Sequence, residues 1–260
     1  MKRDCLVNKF LFGLLATTLS LSTANASSGV NTSKRVNQFE VEAGILHTNK
    51  IEIQGYQQNI ATNGWKSNDI TARFEYWSKT KDSWNFGTVF QPIYTQYQDT
   101  VTSNLNYQKT VFESGSNGTL KFQFHSIRQS ANYPVLQSEL GYLRLGGSFI
   151  VRYAQLDFTA GGNSFSGSGW IAIPLFNVES EIVLTPKYSF FTRSDFLPSP
   201  TQGLFVDGLY DCLFAVRSKI GGEKSVDIGV RLFFGGYDPQ QAGKYANRIF
   251  LSALVARYRF

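Results

Sequence analysis

Cysteine, methionine and histidine are scarce in this 260-residue chain, which has two Cys, one Met and two His. Cys5 lies in a segment that reads as a removable leader. The exported chain would keep Cys212 alone and could form no disulfide, leaving its stability to backbone pairing and packing. With His47 and His125 as the only imidazoles, and no Asp-rich calcium loop, no metal site is expected. Phosphate-binding glycine loops and haem motifs are also missing, so no cofactor is expected. No Lys/Arg cluster occurs, which argues against nucleic acid as a partner. Beyond residue 26 a charge or an amide breaks every apolar run within about ten residues, too short for a membrane-spanning helix.

What is present begins with the leader. Lys2, Arg3 and Lys9 form a basic head, and Phe10, Leu11, Phe12, Leu14, Leu15, Leu19 and Leu21 follow as a short apolar run. Ala24-Asn25-Ala26 then supplies the small–x–small pattern of a signal-peptidase site, so residues 1–26 read as a secretory signal peptide. Cleavage there leaves 22 basic and 18 acidic residues, a modest net charge of +4. Residues 27–35 are small and polar and read as disordered. The remaining span, 36–260, reads as a single domain.

Within that domain the dominant period is two. Phe39, Val41, Ala43, Ile45, Ile51 and Ile53 alternate with Gln38, Glu40, Glu42, Glu52 and Gln54. Ala72, Phe74 and Tyr76 alternate with Arg73 and Glu75. Leu120, Phe122 and Phe124 alternate with Lys121, Gln123 and His125. The same holds around Ile182, Phe214 and Ile228. Such alternation marks strands with one apolar and one polar face, and the abundance of Phe (22) and Tyr (13) suits strands. No 3.6-residue stripe is long enough for a helix.

Short turn sequences occur at Thr80–Ser83, Ser114–Gly118, Gly146–Gly147, Asn177–Ser180 and Gly221–Lys224. Mostly longer links fall near 58–69, 98–103, 131–136, 159–168, 193–203 and 237–246. Five short turns alternating with six other links predict about 12 strands, or 10 if the brief 98–103 and 131–136 links are not outer loops. The expectation is all-β: a transmembrane antiparallel up-and-down β-barrel with short periplasmic turns and longer outer loops.

The terminal stretch Ile249–Phe260 sets Phe250, Leu254, Ala256, Tyr258 and Phe260 on one face. A last strand ending in Phe resembles the signal by which the barrel-assembly machinery accepts Gram-negative outer-membrane proteins. The usual pattern also has a glycine a few residues before the end, and Val255 stands near that place here, so the match is partial. Together with the leader, the alternation and the turn asymmetry, the chain resembles the outer-membrane β-barrels over residues 36–260. The resemblance implies residence in the outer membrane, contact with its lipid, an encounter with the assembly machinery through Tyr258 and Phe260, and possible passage of small solutes.

If every apolar face meets lipid, the polar faces line a lumen. That places Glu40, Glu42, Arg73, Glu75, Lys121, Lys187, Asp207, Asp211, Arg217, Asp227 and Arg231 inside, along with Glu52, Glu139, Glu181, Arg152, Arg257 and Arg259. The signs nearly balance, which suits a network of paired charges better than a selective ring. His125 and His47 are the candidates for a general base. His125 and Ser126 are neighbours on a strand and face opposite ways, so they cannot pair with each other. The segments GGNSFSGSG, with Phe165 and Trp170 beside it, and DFLPSPTQG read as loops whose aromatic side chains either bind sugars or partners or fold into the barrel mouth. The functional expectation is a non-enzymatic barrel, either a small passive channel or a structural or surface protein. The alternatives are a lipid-modifying acyl hydrolase and a component of envelope polysaccharide export.

Overall fold

The computed structural model describes residues 36–54, 59–61, 68–79, 83–101, 104–107, 110–197, 209–235 and 248–260. The leader, residues 27–35, Asp207, and Pro198 and Pro200 of the DFLPSPTQG segment lie outside the described residues. Thirteen strands run in chain order: β1 (Val36–Gln54), β2 (Asn59–Ala61), β3 (Asn68–Lys79), β4 (Asn85–Thr100), β5 (Leu105–Tyr107), β6 (Thr110–Phe112), β7 (Asn117–Ser138), β8 (Gly141–Ala160), β9 (Asn163–Val183), β10 (Tyr188–Leu197), β11 (Leu209–Gly221), β12 (Lys224–Gly235) and β13 (Arg248–Arg259).

Ten of them form one antiparallel ring, β1-β3-β4-β7-β8-β9-β10-β11-β12-β13, closed by the pairing of β13 with β1. Short β2 extends the sheet at the end of β1, and β5 pairs with β6 as a separate hairpin. Val36, Phe260 and the links β3–β4, β7–β8, β9–β10 and β11–β12 lie at one end of the barrel. The β4–β7 link with its hairpin and the two-residue β8–β9 turn lie at the other.

The barrel has ten strands, the smaller of the two expected numbers, because two pairs of expected links are single links: 98–103 and 114–118 belong to one β4–β7 connection that carries the β5–β6 hairpin, and 131–136 and 146–147 flank one turn at 139–140. Gly146–Gly147 lies inside β8 and Asn177–Ser180 inside β9, while residues 131–136 lie inside β7. Gly146 is glycine because the neighbouring strand is close: a Cβ there would stand 1.9 Å from the Ala131 carbonyl oxygen. Asn177 and Glu179 are polar because they point into the barrel, where both are buried. The actual turns are residues 139–140 and 184–187, which carry weaker turn chemistry. The expected long link at 159–168 is a two-residue turn, Gly161–Gly162, with φ of +59° and +81°, the left-handed pair that tight hairpins favour. Residues 163–170 belong to β9 rather than to a loop. Ser114–Gly118 lies at the far end from the short turns.

The outer face carries a belt of exposed apolar side chains around the ring. It includes Phe39, Val41, Ile45, Phe74, Phe90, Phe149, Phe176, Phe214, Val230 and Leu254. Proteins in water rarely expose so continuous an apolar surface, whereas a barrel in lipid requires one. Aromatic rings border the belt near the turn end, where Phe39 contacts Tyr76 and Phe260, and Trp84 contacts Tyr133.

The strands differ in length. β10 to β13 have 10 to 13 residues, close to what a tilted membrane strand needs, but β7, β8 and β9 have 22, 20 and 21. Along these long strands the polarity of the two faces inverts. Near the turn end of β7, Ser126, Arg128, Ser130 and Asn132 are buried inside, and Ile127, Ala131 and Tyr133 face out. Gln129 also faces out and accepts a hydrogen bond from Thr88 at 3.0 Å. Near the far end Leu120, Phe122 and Phe124 are the inward residues, and Thr119, Lys121, Gln123 and His125 face out. With Tyr97, Phe112, Leu156, Phe158, Phe233 and Leu251, the inward residues form an apolar core in the far half of the barrel. Phe165 packs against this core and Trp170 stays exposed on the outside, so the two aromatics flanking the glycine-rich segment take opposite faces.

The seam between β1 and β13 runs from Glu40↔Arg259 to Glu52↔Arg248, with a bulge between Thr48 and Lys50. At its foot the Phe39 and Phe260 backbones exchange hydrogen bonds of 3.1 and 3.0 Å, and the two rings stack at 5.9 Å. Replacing Phe260 with Asp puts a charge beside these rings and should lower the fraction of folded barrel. Heat-modifiable migration of the membrane fraction measures that fraction, and an undiminished folded band would remove Phe260 from the closure.

Candidate functional site

The half of the interior nearer the turns is filled by charge. Among the described residues, ten buried cations (Arg73, Lys79, Arg128, Arg144, Arg152, Arg193, Arg217, Arg231, Arg257, Arg259) face eight buried carboxylates (Glu40, Glu42, Glu75, Glu179, Glu181, Asp195, Asp211, Asp227). The near balance leaves no ring of one sign of the kind that selects ions.

Most of the carboxylates are shared between cations. Asp211 on β11 accepts from Arg73 at 2.7 Å, Arg128 at 2.7 Å and Arg231 at 2.6 Å, tying β3, β7 and β12 across the lumen. Arg231 also grips both oxygens of Glu42 at 2.6 and 2.7 Å. Glu40 accepts from Arg193, Arg257 and Arg259, each at 3.1 Å. Arg193 also bonds Glu75, and Glu179 at 2.8 Å. Lys79 reaches Glu179 at 3.2 Å, and Tyr142 donates to it at 3.0 Å. Asp227 takes Arg217 and Arg257, both through Nε at 2.8 Å, and Arg217 continues to Glu181. Arg128 also bonds Asp195, which accepts from Ser148 and from Asn177 at 2.8 Å. Buried charges are tolerable only when paired and hydrogen-bonded, and this network meets that condition by sharing.

Two aromatic rings hold the planar cations in place. Phe191 is fully buried, and the guanidinium carbons of Arg217, Arg257, Arg193 and Arg259 lie 3.8, 4.6, 5.2 and 6.0 Å from its centroid. Trp77 is fully buried as well. It carries Arg193 at 4.5 Å over its ring and donates its indole N–H to Glu75 at 2.8 Å. Such stacking suits arginine, whose flat and weakly hydrated cation lies well against a ring face. Arg152 stands at the border with the apolar core. It lies over Phe233 at 4.8 Å and Phe124 at 5.5 Å and has no carboxylate partner among the described residues.

Of the residues expected to line a lumen, the structure brings Glu40, Glu42, Arg73, Glu75, Asp211, Arg217, Asp227 and Arg231 into this one network. Lys121 and Lys187 are corrections. Lys121 is exposed on the outer face, because β7 has inverted its polarity by that point. Lys187 is exposed in the turn between β9 and β10. Tyr258 and Phe260 lie on the outer face and stack at 5.7 Å. The network also contains Lys79, Arg128, Arg144, Glu179, Arg193 and Asp195, which the sequence reading passed over. Parity offered a signal for some of them: Asn177, Glu179 and Glu181 share one face, as do Ser189, Phe191, Arg193 and Asp195. Asn177–Ser180 reads equally well as a turn and 193–203 as a link, which hides that parity.

Both histidines face outward. His125 stacks on Tyr153, with centroids 6.5 Å apart and planes 10° apart, while Ser126 is buried on the opposite face. Across from His125 in register are Pro92 and Tyr153, neither of them a serine or threonine. His47 is exposed, and closure of the barrel sets Ser252 opposite it on one side and Asn68 on the other.

No protein-family description and no curated protein matches the sequence. Among solved structures, the translocator domain of the autotransporter NalP from Neisseria meningitidis is similar at 10% identity and a TM-score of 0.41. That match covers 98% of this chain and 99% of that one. The transport unit of the autotransporter AIDA-I from Escherichia coli is similar at 11% identity and a TM-score of 0.40, covering 95% and 98%. The attachment invasion locus protein Ail of Yersinia pestis is similar at 12% identity and a TM-score of 0.37, covering 86% and 99%.

Removing a hub of the charge network should be costly. Asp211→Ala leaves three buried arginines short of a partner, and breaking a buried pair in this way costs about 3–5 kcal/mol. The measurement is the urea midpoint of the refolded barrel, and a shift of under about 1 kcal/mol would mean that the network contributes little to stability. The closed ring, the apolar belt outside it and the paired charges inside it give this chain the architecture of a membrane-spanning β-barrel.

Proposed function

We propose that the protein is a non-enzymatic barrel whose role lies at its surface rather than in conduction. One observation carries this reading: among the described residues, buried side chains occupy both halves of the interior. Ion pairs and stacked arginines occupy the half near the turns, and an apolar core occupies the other. Narrow barrels are commonly filled in this way, whereas wide porins leave an aqueous channel. The filled interior also speaks against passage of small solutes or of an exported polysaccharide. In this reading the signal peptide ends at Ala26, the turn end faces the periplasm, and Tyr258 and Phe260 are the aromatic end that the assembly machinery meets.

A second reading has one observation in its favour. Closure places a serine, a histidine and an asparagine side by side on the outer face, in the register Asn68–His47–Ser252. A serine beside a histidine is the nucleophile–base pairing of acyl hydrolases. Planar-bilayer recording and a phospholipid-hydrolysis assay on the same refolded sample decide among these readings. Silence in both is expected. Resolved conductance steps would restore the channel, and hydrolysis lost in both H47A and S252A would establish the enzyme.

A further inference from the structure

Beyond the belt, the outer faces of β4, β7, β8 and β9 form a polar wall whose rows are fixed by strand register. The far rows read Gln98–Thr119–Thr159–Ser164, Gln96–Lys121–Asp157–Ser166 and Tyr94–Gln123–Gln155–Ser168. The next row toward the membrane is Pro92–His125–Tyr153–Trp170, and the one after it, Phe90–Ile127–Val151–Ala172, is apolar. A row of rings thus separates lipid from wall. Tyr153 packs on Trp170 at 5.2 Å, and Trp170 is 51% exposed. Behind the wall the buried Leu120, Phe122, Leu156 and Phe158 hold it in place.

On its outer surface lies a groove of about 480 Å³ lined by Gln96, Gln98, Thr119, Lys121, Asp157 and Thr159. Lys121 faces Asp157 across the strands, yet has no ion pair among the described residues. Both Asp157 oxygens are engaged elsewhere, one by Ser166 and the other by Gln155 at 2.9 Å. The groove therefore presents a free ammonium among amides and hydroxyls. Adjacent strands lie about 4.8 Å apart and alternate residues about 7 Å apart, a grid on the scale of single sugar rings. The wall faces sideways, just beyond the apolar belt, at the end opposite Phe260; with the turn end on the periplasmic side, as proposed above, that is the level of the outer-leaflet headgroups.

We propose that this wall binds the anionic saccharide of glycolipids in the surrounding outer leaflet. Lys121 takes a phosphate or carboxylate of the sugar, the amides and hydroxyls of the groove take its hydroxyls, and Tyr153 and Trp170 support the glycolipid where its sugar meets its acyl chains. This rests on the outer-membrane placement but not on whether the lumen conducts, so the bilayer recording and the test below can fail separately.

The test uses the full folded barrel in phosphatidylcholine nanodiscs, titrated calorimetrically with the acyl-free, phosphorylated core oligosaccharide of lipopolysaccharide. Saturable binding is expected that weakens as salt rises. Lys121→Glu should weaken it at least tenfold, and Lys187→Glu, at the opposite end, should leave it unchanged. Dephosphorylated oligosaccharide should bind more weakly than the phosphorylated form, and inorganic phosphate alone should not saturate the site. Heat-modifiable migration confirms that each variant is folded. Absence of binding, or equal loss in both lysine variants, would overturn the proposal. So would affinity unchanged by Lys121→Glu, or binding of inorganic phosphate as tight as that of the oligosaccharide.

Discussion

The backbone hydrogen bonds that join β13 to β1 are the constraint on which the rest of the structure depends. In hydrocarbon an unpaired N–H or C=O has no water to turn to, so a sheet can cross a bilayer only if it has no edge. Closure is a long-range event here, pairing Glu40 with Arg259 across nearly the whole chain. Once the ring closes, every strand acquires an inside and an outside, and each side chain's environment follows from its parity and its height.

The interior shows what closure demands in return. Ten strands enclose a space too narrow to stay empty at low cost, and this chain fills it in two ways. Near the turns arginines share carboxylates and lie on Phe191 and Trp77, so that nearly every buried charge meets an opposite charge or a ring. Toward the far end the filling is apolar, because the long strands rise past the lipid belt and their outer faces turn polar. Lipid outside asks for a polar or paired inside, and water outside asks for an apolar one. The same strand satisfies both by exchanging its faces partway along β7.

That exchange also moves polar side chains to the outside of the barrel. The wall over β4, β7, β8 and β9 presents the Lys121 ammonium with amides and hydroxyls just beyond the apolar belt. His47 and His125 stand at the same transition, on the outer face rather than in a cleft.

The sequence by itself determined the class of fold. Dyad alternation, aromatic richness and polar punctuation specify antiparallel strands, and parity within β1, β3, β11 and β12 was enough to place Glu40, Arg73, Asp211 and Arg231 inside. It left ten and twelve strands both open, because a glycine can serve a turn or a close strand approach, and an Asn or Glu can serve a turn or a buried ion pair. Gly146 and Asn177 belong to the second kind in each case. Lys121 shows the deeper limit. Alternation says that two faces differ, but not which of them meets lipid, and that choice reverses with height. Only the tertiary structure decided it, because the partners that settle it come from distant strands: Asp211 meeting Arg73, Arg128 and Arg231, and Ser252 arriving beside His47 when the ring closes.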